Sequence, residues 1–238
     1  MRPNQGKLDL PQLDKFMFAN IRIPFTDIRI GRFLFLFISM VLMFVLRPFL
    51  TERVALGYLM EIFLLLIFLS AVYAVSQKRI TLIIALLLVL LMEILQLLSY
   101  LKDIPYLDML SNILGGLLLA YTATIILFHL FREDRITGDM IMGAICAYFL
   151  MGLVWAFVYS TLEFFQPGSF QMPQGAVNQA TFTYYSYVTL TTLGYGEITP
   201  ISAPARSFAI LEAMMGQLYL AVLIARLVGI HIAQSSRS

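Results

Sequence analysis

The chain has 238 residues, of which 60% are hydrophobic and 13% charged, where a soluble domain carries roughly 45–50% and about 25%. With a mean hydropathy of +0.85, that composition excludes a water-soluble fold and calls for a bilayer as solvent. Sixteen basic against fourteen acidic residues leave a net charge of only +2, no basis for nucleic-acid binding, and the single cysteine, Cys146, excludes an intrachain disulfide or a multi-thiolate metal site.

Residues 1–30 are polar and contain Pro3, Pro11 and Pro24, without the apolar core and small-residue cleavage site of a secretory signal, so they read as a retained cytoplasmic segment. Six apolar runs follow, at about 31–50, 54–75, 79–99, 106–131, 138–163 and 205–231. Each approaches or exceeds the ~20 residues that cross a hydrocarbon core of ~30 Å. The expected fold class is therefore an all-α integral membrane protein with six transmembrane helices. Positive charge sets the orientation, because cytoplasmic flanks keep Lys and Arg. With the N-terminus inside, twelve basic residues fall in the cytoplasm, among them Arg32, Lys78, Arg79, Arg132 and Arg226. Only Arg47, Arg53, Lys102 and Arg206 fall outside. Both termini, including a short tail at 234–238, are thus expected in the cytoplasm.

The first four runs lack the arginines at every third position that a voltage sensor needs; the fourth has none before Arg132. They carry polar side chains instead. Glu93 and Gln96 are three apart, and Asp108 and Asn112 four apart, so each pair shares a helix face. Glu93 falls about 10 Å from the outer end of its span, and Asp108 and Asn112 lie near the outer end of theirs. With Glu61 at a similar depth, five polar groups converge in one leaflet. The E-x-x-Q … D-x-x-x-N-x-x-G spacing, closed by Gly115 and Gly116, resembles the VanZ-like family of small membrane domains. The resemblance covers roughly residues 31–131 and implies a four-span domain over 31–135. These groups serve as interhelical glue or as a modulatory site for a cation, a lipid headgroup or a glycopeptide-like ligand. His129 and His231 sit at separate helix ends and form no metal site, and Trp155 is expected to pack.

Residues 164–204, between the last two runs, are too polar and too rich in Gly and Pro for a further span. A short helix is expected over 178–191, leading into Thr189-Leu190-Thr191-Thr192-Leu193-Gly194-Tyr195-Gly196-Glu197. A dehydrated cation needs rings of oxygens, which an extended backbone supplies only when successive carbonyls turn to one side. Gly194 and Gly196 reach the backbone angles this requires, and Tyr195 between them can anchor the loop. Non-helical backbone at membrane depth also has to be enclosed by protein or face water, which suits a re-entrant helix and loop.

The stretch resembles the potassium-channel signature T-x-x-T-x-G-Y-G-D, with Glu197 in place of the terminal Asp. That resemblance implies a pore domain over 136–233, with outer helix 138–163, pore helix 178–191, selectivity filter 192–196 and inner helix 205–231. It also implies a homotetramer, since one chain cannot close a ring. The carbonyls of Thr192, Leu193, Gly194 and Tyr195, with the Thr192 hydroxyl and Gly196 beside them, would hold K+ as permeant ion, with no cofactor. Tyr184, Tyr185, Val188, Thr191 and Glu197 would support the filter: Tyr185 is expected against Tyr195, Tyr184 beside Glu197. Val188 stands where some members carry a buried glutamate. Gly216 reads either as a gating hinge or as a close-packing point. Glu212, an intramembrane acid four residues earlier, is expected to contact the back of the pore helix.

The expected function is passive potassium conduction across a plasma membrane, without covalent chemistry and without a cytoplasmic ligand-binding module. Two other classes fit the same residues: an intramembrane enzyme using Glu61, Glu93 and Asp108 as acid and base on a lipid-linked substrate, and an electrically silent receptor. No nucleophile stands beside a base to favour the enzyme.

Overall fold

The computed structural model describes residues 32–50, 65–67, 69–70, 79–102, 104–132, 137–172 and 178–235. The chain divides into Met1–Gly31, which lies outside the described residues, and one compact unit, Arg32–Ser238. Its described elements are α1 (Arg32–Leu50), α2 (Arg79–Lys102), α3 (Pro105–Arg132), α4 (Gly138–Phe165), β1 (Phe170–Gln171), α5 (Gln179–Leu190), β2 (Thr199–Pro200) and α6 (Ala203–Ser235). Residues 65–67 and 69–70 are also helical. The remainder of the run expected at 54–75, Glu61 included, lies outside the described residues.

The helix starts follow from local chemistry. Pro105 opens α3, where a missing N–H costs nothing, and Asp108 in its first turn faces the positive end of the helix dipole. The Thr137 side chain accepts from Met140 N at 3.1 Å to cap α4, and the Asn178 side chain accepts from Thr181 N at 2.9 Å to cap α5. Each satisfies one of the amides that a helix leaves orphaned at its N-terminus. The helix expected over 178–191 therefore runs Gln179–Leu190, with Asn178 as its cap. The last helix is longer than its apolar run: α6 reaches Ser235, so the expected tail at 234–238 begins inside it.

Three described helices are long and apolar enough to cross a membrane: Pro105–Arg132, Gly138–Phe165 and Ala203–Ala233. Shorter apolar stretches are Phe33–Leu46 and Leu86–Ser99. The pattern is that of an integral membrane protein. One departure from the all-α expectation is a two-residue antiparallel ribbon pairing Phe170 with Pro200 and Gln171 with Thr199. Ser169 O extends the tie by accepting from Ile201 N at 2.8 Å and Ser202 N at 3.2 Å.

The core sits around α4. Phe33, Leu36, Met40 and Met43 of α1 join Ala147, Leu150 and Leu153 of α4 in one buried cluster with Leu119 and Ile126 of α3. The N-terminal helices thus pack on the C-terminal half of their own chain. The approach is close at Gly143, where a Cβ would meet the Phe33 ring at 3.1 Å. Of the apolar window of α4, 56% is buried, whereas for α6 the share is 11%. A long apolar helix left this open within one chain has most of its surface available to lipid or to further copies.

Candidate functional site: the loop between α4 and α6

The short helix α5 lies against α4 and α6 and is held by side chains from both. Glu212 on α6 is fully buried. Tyr159 of α4 donates to its Oε2 at 2.5 Å, and Ser186 of α5 lies 2.5 Å from its Oε1. Ser186 Oγ is also 2.6 Å from the Gly152 carbonyl of α4. One carboxyl group therefore joins three helices, and it touches the back of α5. Buried polar groups bonded on both sides stiffen their surroundings, and removing one partner strands the others.

Aromatic rings complete the brace. Tyr185 packs edge-on against Tyr159, with centroids 4.9 Å apart, and against Phe170 at 5.2 Å. The contact of Tyr185 with Tyr195 expected from the sequence is not made within the chain: Tyr185 turns into this cluster, and Tyr195 is 64% exposed. Phe170 reaches the cluster because the β ribbon draws its segment in beside α5. Tyr184, in contrast, does donate a hydrogen bond to Glu197. Trp155 packs, stacking on Tyr159 at 5.8 Å. Tyr187 crosses to donate to Phe149 O at 2.5 Å, over a Gly152 whose Cβ would sit 2.6 Å from the tyrosine ring.

The C-terminus of α5 passes directly into the glycine-containing peptide. Thr192 N donates to Thr189 O at 2.9 Å, and Val188 O accepts from Leu193 N at 2.9 Å and Gly194 N at 3.3 Å. The Thr191 hydroxyl donates to Tyr187 O at 2.6 Å. The carbonyls that end the helix are thereby satisfied by the amides of the peptide that follows, so a shift of α5 carries the peptide with it.

Beyond that point the backbone takes positive φ at Thr192 (58°), Gly194 (60°) and Gly196 (85°), while Leu193 and Tyr195 do not. In a strand all φ are negative and carbonyls alternate sides. A φ that changes sign at every residue counteracts that alternation, allowing neighbouring carbonyls to share a side. Glycine takes this conformation freely, whereas Thr192 adopts it at the cost usual for a residue with a branched side chain. Residues 191–197 are all exposed in the single chain, and Gln217 of α6 reaches the Thr192 hydroxyl at 3.4 Å.

Gly216 is buried directly behind α5. A Cβ there would lie 2.2 Å from Leu190 O and 3.0 Å from Leu190 Cδ1. Of the two readings of this glycine, close packing is the one with a visible contact.

At the same end of the bundle, a cavity of about 680 Å³ opens between α2, α3, α4 and the start of α5. It gathers Glu93, Gln96, Asp108 and Asn112, four of the five polar residues singled out from the sequence; Glu61 lies outside the described residues. Sequence spacing did not indicate that Glu163, Asn178 and Gln179 share the cavity, because they come from other elements. Among the described residues, no group of three or more His, Cys, Asp or Glu side chains is arranged to hold a metal ion.

A family model described as "Ion channel" matches residues 144–231, from the first third of α4 through α5 and the glycine peptide into the last turns of α6. No curated protein and no solved structure matches the chain. Together with the apolar helices, the family match supports a membrane protein with ion-channel activity and points to a transport role rather than to catalysis.

Proposed function

We propose that this protein is a potassium-selective channel that works as a homotetramer in the plasma membrane. In this reading each subunit has six spans and cytoplasmic termini, with residues 31–135 as a VanZ-like modulatory domain and no arginine-rich voltage sensor. Four copies of Thr192, Leu193, Gly194, Tyr195 and Gly196 surround the axis, and their oxygens replace the hydration shell of K+. The observation that carries the reading is the sign alternation of φ along 192–196, in a segment within the ion-channel match. The open apolar surface of α6 supports assembly, because neighbouring copies would cover it and enclose the exposed residues 191–197. Gly216 is in this view both the seat of α5 and the point about which α6 bends on gating.

Flux from liposomes tests the proposal. Vesicles loaded with KCl and carrying the purified protein should lose K+ down its gradient, with Na+ flux about a hundredfold lower or less. Equal fluxes of the two ions would overturn the selectivity, and no flux in either salt would overturn conduction.

A further inference from the structure

Glu212 is the one acid of α6, and it is fully buried in a helix long and apolar enough to cross a membrane. An ionised carboxylate at such a place is costly unless a cation pairs with it. Among the described residues the groups that bond it are the hydroxyls of Tyr159 and Ser186, and no basic side chain acts on it.

The hydrogens of the site can be counted. Three oxygen-to-oxygen contacts run in series: Tyr159 Oη to Glu212 Oε2 at 2.5 Å, Glu212 Oε1 to Ser186 Oγ at 2.5 Å, and Ser186 Oγ to Gly152 O at 2.6 Å. All three lie at the short end of the range for an O–H···O hydrogen bond, and oxygens this close repel unless a hydrogen stands between them. A phenol and a serine hydroxyl carry one hydrogen each, and a peptide carbonyl carries none. Two hydrogens cannot serve three contacts. If Ser186 donates to Glu212, its oxygen faces the lone pairs of the Gly152 carbonyl; if it donates to Gly152, it faces a bare carboxylate oxygen. A hydrogen shared between both acceptors would be badly aligned with each, which does not suit contacts so short. The missing hydrogen belongs on Glu212.

We propose that Glu212 is a positioning residue for the glycine peptide and that it works as a neutral carboxylic acid. Its Oε1–H donates to Ser186, Ser186 donates to Gly152 O, and Tyr159 donates to Oε2. The series runs in one direction from α6 through α5 to the backbone of α4. It fixes the height of α5 at Ser186, two residues before Val188, whose carbonyl holds the amides of Leu193 and Gly194. The place of the hydrogen stands without the channel reading, whereas the effect on flux rests on that reading.

Glutamine has the shape of the neutral acid, with an N–H to donate to Ser186 and an oxygen to accept from Tyr159. Methionine fills similar space and does neither. In KCl-loaded liposomes Glu212→Met should lower K+ flux about tenfold or more or lose the preference over Na+, and Glu212→Gln should restore both to near wild type. Were Glu212 ionised, glutamine would turn an N–H toward the Ser186 hydrogen and rescue nothing. Infrared difference spectra, wild type minus Glu212→Gln in neutral buffer, give a readout that needs neither conduction nor the methionine variant. They should contain the carbonyl band of a carboxylic acid and no antisymmetric carboxylate stretch. A carboxylate stretch in that difference, a Glu212→Gln protein as impaired as Glu212→Met or unable to fold, or wild-type flux and selectivity in Glu212→Met would overturn the proposal. If the wild type itself does not conduct, the channel reading fails alone: the infrared band, and an unfolding midpoint higher in Glu212→Gln than in Glu212→Met, then decide where the hydrogen sits.

Discussion

Replacing Gly194 by alanine is expected to reduce K+ flux by roughly a hundredfold or to abolish the preference over Na+, while the purified protein keeps its assembly state. Space is not the reason: a Cβ at Gly194 meets nothing closer than Thr192 O at 4.0 Å. The cause is φ, which is +60°. An L-residue pays about 1–2 kcal/mol in the left-handed region, and in the proposed tetramer four copies would pay it together. Relief comes by returning the residue to negative φ, which breaks the sign alternation and turns a carbonyl away from its neighbours. Gly168→Ala is the control, since Gly168 has φ +80° with equally open surroundings but lies in the turn after α4. It should show the same local strain and near-normal flux. Similar losses in both variants, or none in Gly194→Ala, would remove the filter assignment.

The second large effect is expected at Gly216. Alanine there would place a carbon 2.2 Å from the Leu190 carbonyl oxygen, a backbone atom that no rotamer change can move aside. Overpacking of this kind costs about 1–3 kcal/mol. Relief requires displacement of the α5 C-terminus, where Val188 O and Thr189 O hold the amides of residues 192–194. Gly216→Ala should therefore lower the unfolding midpoint and cut flux by about tenfold or more. Gly229→Ala on the same helix, where a Cβ meets nothing within 4 Å, should leave both near wild type. An unchanged midpoint combined with altered open probability would favour a hinge without a packing role.

What could be read from the sequence and what could not divide along a physical line. Apolar run length is a local property, so α3, α4 and α6 are legible as spans without tertiary information. The short helix before the glycine peptide was legible too, with its polar start at Asn178. Long-range partners are another matter. Glu212 could be placed against the back of α5 from its position alone, yet nothing in the spacing identified Tyr159 and Ser186 as the groups that bond it. Tyr185 was assigned to Tyr195 by resemblance; within the chain it joins Tyr159 and Phe170, because a ribbon of two residues per strand, too short to leave a pattern, brings Phe170 beside it. Sequence patterns likewise brought Glu93 and Asp108 to one depth. They did not indicate that Glu163 of α4 and Gln179 of α5 also line that cavity, which depends on how α2 and α3 pack on α4.

The most direct measurement is a density map of the purified full chain in a lipid nanodisc in KCl. The account predicts four subunits about one axis, with the backbone of Thr192–Gly196 nearest that axis and a file of ion density at oxygen-coordination distance. A monomer, or an assembly in which Tyr195 and its neighbours face lipid away from the axis, would contradict it.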